Sequence, residues 1–151
     1  MDKSEHIGVT IVDGHTILVD PFEWDEVTSN LCKVKDVGLN GNLYGGTMMS
    51  WIDDASAIYA SLVTNEKYIV TYRFDEMIFR SPVKAGEIVK FYAKLIKVGE
   101  HSVTMRIMAI DGSHKRFILT TNCTFVAVDE NTKKKKLDRY DELIKLMKEI
   151  E

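Results

Sequence analysis

The spacing of apolar and polar positions changes twice along the chain, and each change predicts a new kind of element. From Ile7 to Val19 apolar residues alternate around Asp13-Gly14-His15, the pattern of a short hairpin or arm. Ser29 to Val37 sets Leu31, Lys33 and Lys35 against Cys32, Val34 and Asp36, which predicts a strand. Glycines then punctuate the sequence at Gly38, Gly41, Gly45 and Gly46. Beyond them Met48, Trp51, Ile52, Ala55, Ile58, Tyr59 and Leu62 recur at steps of three and four, predicting an amphipathic helix of about five turns. Its other face carries Thr47, Ser50, Ser56, Ala57, Ala60 and Ser61, with no lysine or arginine from Gly46 to Val63. A solvated helix face normally bears long charged side chains, so this helix is expected to be covered on both sides.

Period two then returns and persists. Strands are predicted over Tyr68–Phe79, Ile88–Val98, Ser102–Ile110 and Phe117–Val128, separated by Ala85-Gly86-Glu87, Gly99-Glu100 and Asp111-Gly112-Ser113. A basic run, Lys133 to Lys136, precedes a last helix striped by Leu137, Tyr140, Leu143, Ile144, Met147 and Ile150. One helix cannot cover a sheet from both sides, so the order predicts an α+β domain with an antiparallel sheet wrapped around the long helix. The outer sheet face then needs its own cover, which self-association supplies.

Composition narrows the field by exclusion. A chain of 151 residues, 45% hydrophobic and 28% charged, is the size of one domain with an adequate core, so no disulfide or metal staple is required. The expected division is an arm over 1–27, a core over about 28–130 and a terminal helix over 137–150, all within one domain of 1–151. Cys32 and Cys123 lack zinc-ligand spacing and read as buried, reduced thiols. A net charge of −3 excludes nucleic-acid binding by bulk positive charge. No apolar run reaches the ~20 residues of a membrane span, and the first ten residues lack a signal-peptide core. A cytoplasmic protein with neither nucleic-acid nor membrane partners is expected.

The usual signatures of nucleotide, zinc and serine-hydrolase chemistry are missing, and His6, His15, His101 and His114 fall in turns or the arm, where solvated side chains are expected. Tyr44-Gly45-Gly46, leading straight into the helix, has two readings. It is a tight turn with close packing, or it opens backbone N–H donors and the positive helix end to a developing oxyanion. Asn40, Asn42, Asp53 and Asp54 stand near it. Asp53 shares a helix face with Met49, Ser56, Ala57 and Ala60 and has no cationic partner in sequence, so it is either exposed or held for a purpose. Asp54 reads as a structural acceptor.

These residues meet a family. The stretch D-V-G-L-N-G-N-L-Y-G-G-T-M-M-S-W-I-D-D-A, Asp36 to Ala55, resembles the signature of hot-dog-fold acyl-CoA thioesterases, N-x-G-[DN]-x-x-G-G followed by a helix carrying M-D or I-E. Phe79 to Val89, F-R-S-P-V-K-A-G-E-I-V, is similar to the family's F-x-x-P-V-x-x-G-D-x-V, and Thr121 to Asp129 resembles its closing strand. The resemblance covers about residues 28 to 130. It implies a hot-dog fold, with an antiparallel sheet wrapped around one long central helix and, in this chain, an additional C-terminal helix. It further implies edge-to-edge dimers with ten strands, assembling onward into tetramers or hexamers, and hydrolysis of acyl-CoA at dimer-interface sites without metal or bound cofactor.

Family catalytic positions fall on Asn42 and on Asp53, contributed by opposite subunits, with the N–H of Gly45 or Gly46 polarising the thioester carbonyl. Asp53 serves as base or nucleophile, while Asn42 orients water or the carbonyl through its amide. Tyr44 stands where many members have His. Because CoA is polyanionic, Arg80, Ser81, Lys84, Arg116 and the lysine run are candidates for its binding, the run reading equally well as solvated charge. The alternative is a non-catalytic acyl-CoA-binding protein of the same fold.

Overall fold

Strict alternation along three long strands puts Phe91, Met105, Ile107, Leu119 and Phe125 on one sheet face, and every one of them is inaccessible to solvent. That face closes over a 20-residue helix whose Met48, Ile52, Ala55 and Tyr59 fill it from the other side. The computed structural model describes residues 9–12, 16–19 and 24–150. Its elements are β1 (Val9–Val12), β2 (Thr16–Val19), β3 (Asp25–Leu31), α1 (Gly45–Thr64), β4 (Ile69–Phe74), β5 (Ile88–Val98), β6 (Ser102–Asp111), β7 (Arg116–Ala127) and α2 (Tyr140–Ile150). Five strands form one antiparallel sheet in the order β3-β5-β6-β7-β4, so β3 and β4 are its edges. The α+β architecture read from the pattern is the one observed.

The core is substantial. A side chain such as Ile52, fully enclosed, contributes about 2 kcal/mol through removal of its apolar surface from water. On the opposite sheet face Trp24 packs on Met108 and Ile110 in a second, smaller cluster, with Lys94 Nζ 5.2 Å from the Trp24 ring centroid. Helix α1 stops at Asn65, a left-handed cap at φ 57° whose N–H reaches Ser61 O. Beyond the cap, buried Glu66 accepts hydrogen bonds from Lys135 Nζ at 2.6 Å and Asp138 N at 2.9 Å, and Arg139 Nη1 donates to Val63 O at 2.6 Å. Part of the basic run therefore fastens the C-terminal segment to the helix end.

Several expectations need correction. Pairing of β1 with β2 matches the predicted hairpin, although its turn, residues 13–15, lies outside the described residues. The strand expected over Ser29–Val37 is β3, shifted toward the N-terminus and ending at Leu31. Alternation continues past that point because residues 34–36 form a 3-10 turn closed by Asp36. Its carboxylate accepts Lys33 N–H at 2.9 Å and offers the backbone an alternative to the ladder. The strand over Tyr68–Phe79 shortens to β4. Beyond Phe74 the chain keeps company with β7 through isolated bonds rather than a ladder, among them Asp75 N to Asn122 O and Arg80 N to Ile118 O, both 2.9 Å. Among the described residues of one chain, α1 is covered on one side only: Ser56 and Ala60 are buried, but Met49, Ile58 and Leu62 are exposed.

Candidate active site

The segment before α1 is a stack of turns that aims the helix end. Gly41 holds φ +77°, where other residues are strained, while Asn40 Oδ1 accepts Asn42 N–H at 3.1 Å and Gly38 N donates to Asn42 O at 2.8 Å. Leu43 N–H to Val83 O and Tyr44 N–H to Asp36 O pin both flanks of the loop, at 2.8 and 3.0 Å. The helix then begins at Gly45. Tyr44 occupies the N-cap without a side-chain capping bond, and the first turn has no acidic residue. The first-turn N–H groups therefore lack intrahelical acceptors, and the positive end of the dipole is uncompensated.

The paired glycines are not demanded by the chain's own packing. Neither has a positive φ, a Cβ on Gly46 would meet nothing within 4 Å, and one on Gly45 would make ordinary contact with Phe79 at 3.5 Å. Gly41 and Gly86, at φ +77° and +92°, are required by their turns. Among the described residues no atom uses the space at exposed Gly46, so the backbone there is open to approach, as the second reading of the motif requires.

Beside the helix start lies a cleft of about 330 Å³, with Asn40, Asn42, Met48, Phe79, Arg80 and Ile118 among its walls. Asn42 is bridged to Lys84 through the backbone, and Lys84 Nζ donates to Asn42 Oδ1 at 2.5 Å. Asp53, more than two turns farther along α1, accepts a 2.7 Å hydrogen bond from Thr71 Oγ1 on β4 and is not a wall of this cleft. Asn42 and Asp53 of one chain thus belong to different surroundings.

The candidate CoA contacts also separate. Arg80 and Ser81 line the cleft, but Ser81 Oγ donates to Phe117 O at 2.8 Å. Lys84 is committed to Asn42. Arg116 belongs to a charged knot: its Nη2 lies 2.6 Å from Asp111 Oδ2 and 3.4 Å from both Glu87 carboxylate oxygens. His114, expected to be merely solvated, joins that knot with Nδ1 2.5 Å from Glu87 Oε2 and 3.2 Å from Asp111 Oδ2. Burial raises the Asp111 pKa, but hydrogen bonds from Arg116, His114 and Ser113 outweigh it and hold the carboxyl below its ordinary value. Donor atoms of Glu87, Asp111 and His114 lie within 4.8 Å of one another, a metal-like cluster whose positive charge Arg116 already supplies.

Sequence marks Arg116 and His114 only as separate residues and does not mark the knot they form with Glu87 and Asp111, or Thr71. The available signals were an Asx turn in Asp111-Gly112-Ser113-His114 and a β-branched hydroxyl on a strand facing the helix. The two thiols behave as read: both are buried, and burial pushes Cys123 up to about 11.

Residues 40–118 match the model of the thioesterase superfamily. This chain belongs to that superfamily. Its relatives include an uncharacterized acyl-CoA thioester hydrolase of Haemophilus influenzae, 30% identical over 116 residues, covering 72% of this chain and 75% of the relative. The acyl-CoA thioester hydrolase YciA of Escherichia coli is 35% identical over 83 residues, 55% of this chain and 62% of YciA. Among solved structures, a hexameric hotdog fold thioesterase of Campylobacter jejuni superposes with a TM-score of 0.70 at 27% identity, covering 81% of this chain and 96% of that one. The fold is accordingly the hot-dog fold, and the thioesterase family read from the motifs is the one the chain belongs to.

Proposed function

We propose that this thioesterase hydrolyses acyl-CoA to the carboxylic acid and free CoA. Water adds to the thioester carbonyl carbon, the C–S bond breaks, and the thiolate leaves with the proton that water gives up. The observation that carries the reading is the cleft at an uncapped, glycine-started helix end with Asn42 in its wall. Donors fixed before the reaction suit the negative charge that develops on the carbonyl oxygen. Arg80 lines the same cleft, and its guanidinium would meet a CoA phosphate.

The site is proposed to be completed by a second copy. Asp53 lies away from the cleft, held by Thr71 on β4, which is an edge strand. That edge exposes Val70 and Tyr72, an apolar surface next to unpaired backbone. Pairing two such edges would cover it and bring a partner's Asp53 toward the cleft as base or nucleophile. The named relatives are acyl-CoA thioester hydrolases, and the solved neighbour is described as hexameric. No metal or bound cofactor is invoked, and a cytoplasmic location is proposed.

Thiol release tests the activity. Purified protein should liberate free CoA from at least one member of a series from acetyl-CoA to palmitoyl-CoA without added metal. Binding of these esters with no turnover above background would replace hydrolysis with an acyl-CoA-binding role.

A further inference from the structure

The ammonium of Lys84 has hydrogen-bond donors and no acceptor, so the Asn42 side-chain atom 2.5 Å from it must be the carbonyl oxygen. This fixes which way the amide faces. Asn42 is a wall of the cleft, whereas Lys84 is not, so the oxygen is committed outside the cleft wall and the NH2 is the group left for a ligand. We propose that Lys84 is a positioning residue that locks the Asn42 amide so that Asn42 acts on the substrate as a hydrogen-bond donor. The inference rests on the hydrolase reading and deepens it. It selects, from the two roles open to Asn42, donation to the thioester carbonyl over orientation of water by a hydrogen bond to the amide oxygen.

The lock is built into the backbone. Asn42 and Lys84 face each other across an antiparallel bridge, which sets their side chains side by side. Lys84 is itself held by a turn in which its N–H reaches Glu87 Oε1 at 2.7 Å and its C=O accepts Glu87 N–H at 3.1 Å. Glu87 is nearly buried and is anchored by His114 and Arg116. The strut therefore runs from the β5–β7 end of the sheet to the amide. One of the three ammonium donors is thereby spent on Asn42, a role distinct from clamping a phosphate.

The two roles make opposite kinetic forecasts. A phosphate clamp acts on binding, whereas an orienting residue acts on a group that stabilises the transition state. Lys84→Met removes the donor while keeping the stem, at an exposed position where folding is not at stake. With butyryl-CoA or the best substrate of the series, it should lower kcat about 10-fold and leave KM within about twofold. Lys84→Arg, which again presents donors only, should restore most of the loss.

A double-mutant cycle decides the route. If Lys84 acts through Asn42, Lys84→Met should cost nothing further in an Asn42→Ala background. A raised KM with kcat kept, or additive losses in the double variant, would overturn the assignment while leaving hydrolysis intact. A wild-type protein that releases no thiol would sink the hydrolase reading and this assignment with it.

Discussion

Two polar clusters stand at the same end of the sheet, joined by the turn from Lys84 to Glu87, and they are built on opposite rules. In the knot of Glu87, Asp111, His114 and Arg116, two buried carboxylates are met by a guanidinium, an imidazole and backbone N–H groups. At the cleft, the helix end has no cap and no acidic neighbour, and the glycine beside it faces empty space. Buried polar groups ordinarily find partners, so a satisfied cluster explains itself as structure. Donors left open at a helix end beside a cleft, with neither glycine among the cleft's lining residues, explain themselves only by what comes to them. That contrast separates scaffold from site more sharply than residue type does, because both clusters are rich in the residues usually offered as catalysts.

The contrast is most severely tested at Asn42 and Asp53. Asn42→Ala and Asp53→Asn should each lower kcat about 100-fold or more, the scale of losing an oxyanion donor or a general base, without lowering the thermal midpoint appreciably. Both losses are read by thiol release on folded protein. A comparable fall in stability would place these residues with the knot.

Next comes the knot. Asp111→Ala strips the Arg116 guanidinium and the His114 ring of a buried partner and should destabilise by about 3 kcal/mol, measured by urea unfolding. The Asp111 carboxyl titrates below its ordinary value in the folded protein, so the unfolded chain takes up its proton first as pH falls. Its stabilisation is therefore full above about pH 5 and is lost as pH drops from about 4 through the lowered folded value. The Asp111→Ala protein should lack this part of the acid slope.

The glycines give a smaller effect with opposite signs for folding and function. Gly46→Ala should leave stability unchanged or raise it by up to about 0.5 kcal/mol, since Ala is the better helix former and its Cβ meets nothing. Activity should nonetheless fall, by about 10-fold, because the methyl group stands where the thioester or a second chain approaches. Unchanged activity would return the paired glycines to a simple turn. Smallest of all, Arg80→Gln should raise KM a few-fold and flatten its increase with salt, since screening over a Debye length of about 10 Å weakens a contact with phosphate.

Most of the fold was legible because its signals are local. The three long strands β5, β6 and β7 were placed to within a residue or so, since two-sided alternation over ten or more positions leaves one register that buries Phe91, Met105 and Phe125. Helix α1 was equally clear from its change of period. What misled was alternation without a ladder: Cys32 to Asp36 keeps the strand pattern through a turn that the Asp36 carboxylate closes. At the candidate site, Asn42 and the glycines are legible as candidates because they sit in one short motif. The Lys84 bond to Asn42 spans 42 residues and Asp53 meets Thr71 across 18, and no spacing rule announces either. Arg116 looked like a ligand for phosphate because sequence shows a charge and not its partner.

Mixing subunits tests most directly whether acyl-CoA is hydrolysed at a site shared between two copies. Asn42→Ala and Asp53→Asn proteins, each nearly inactive alone, would be dissociated, combined and allowed to exchange, with exchange verified by mass-tagged subunits. A mixed dimer then holds one doubly damaged site and one intact site. Activity should reappear, up to roughly half the wild-type value per mixed dimer if the two sites act independently. Complete exchange with no regained thiol release would contradict the shared site and place Asn42 and Asp53 in the service of a single chain.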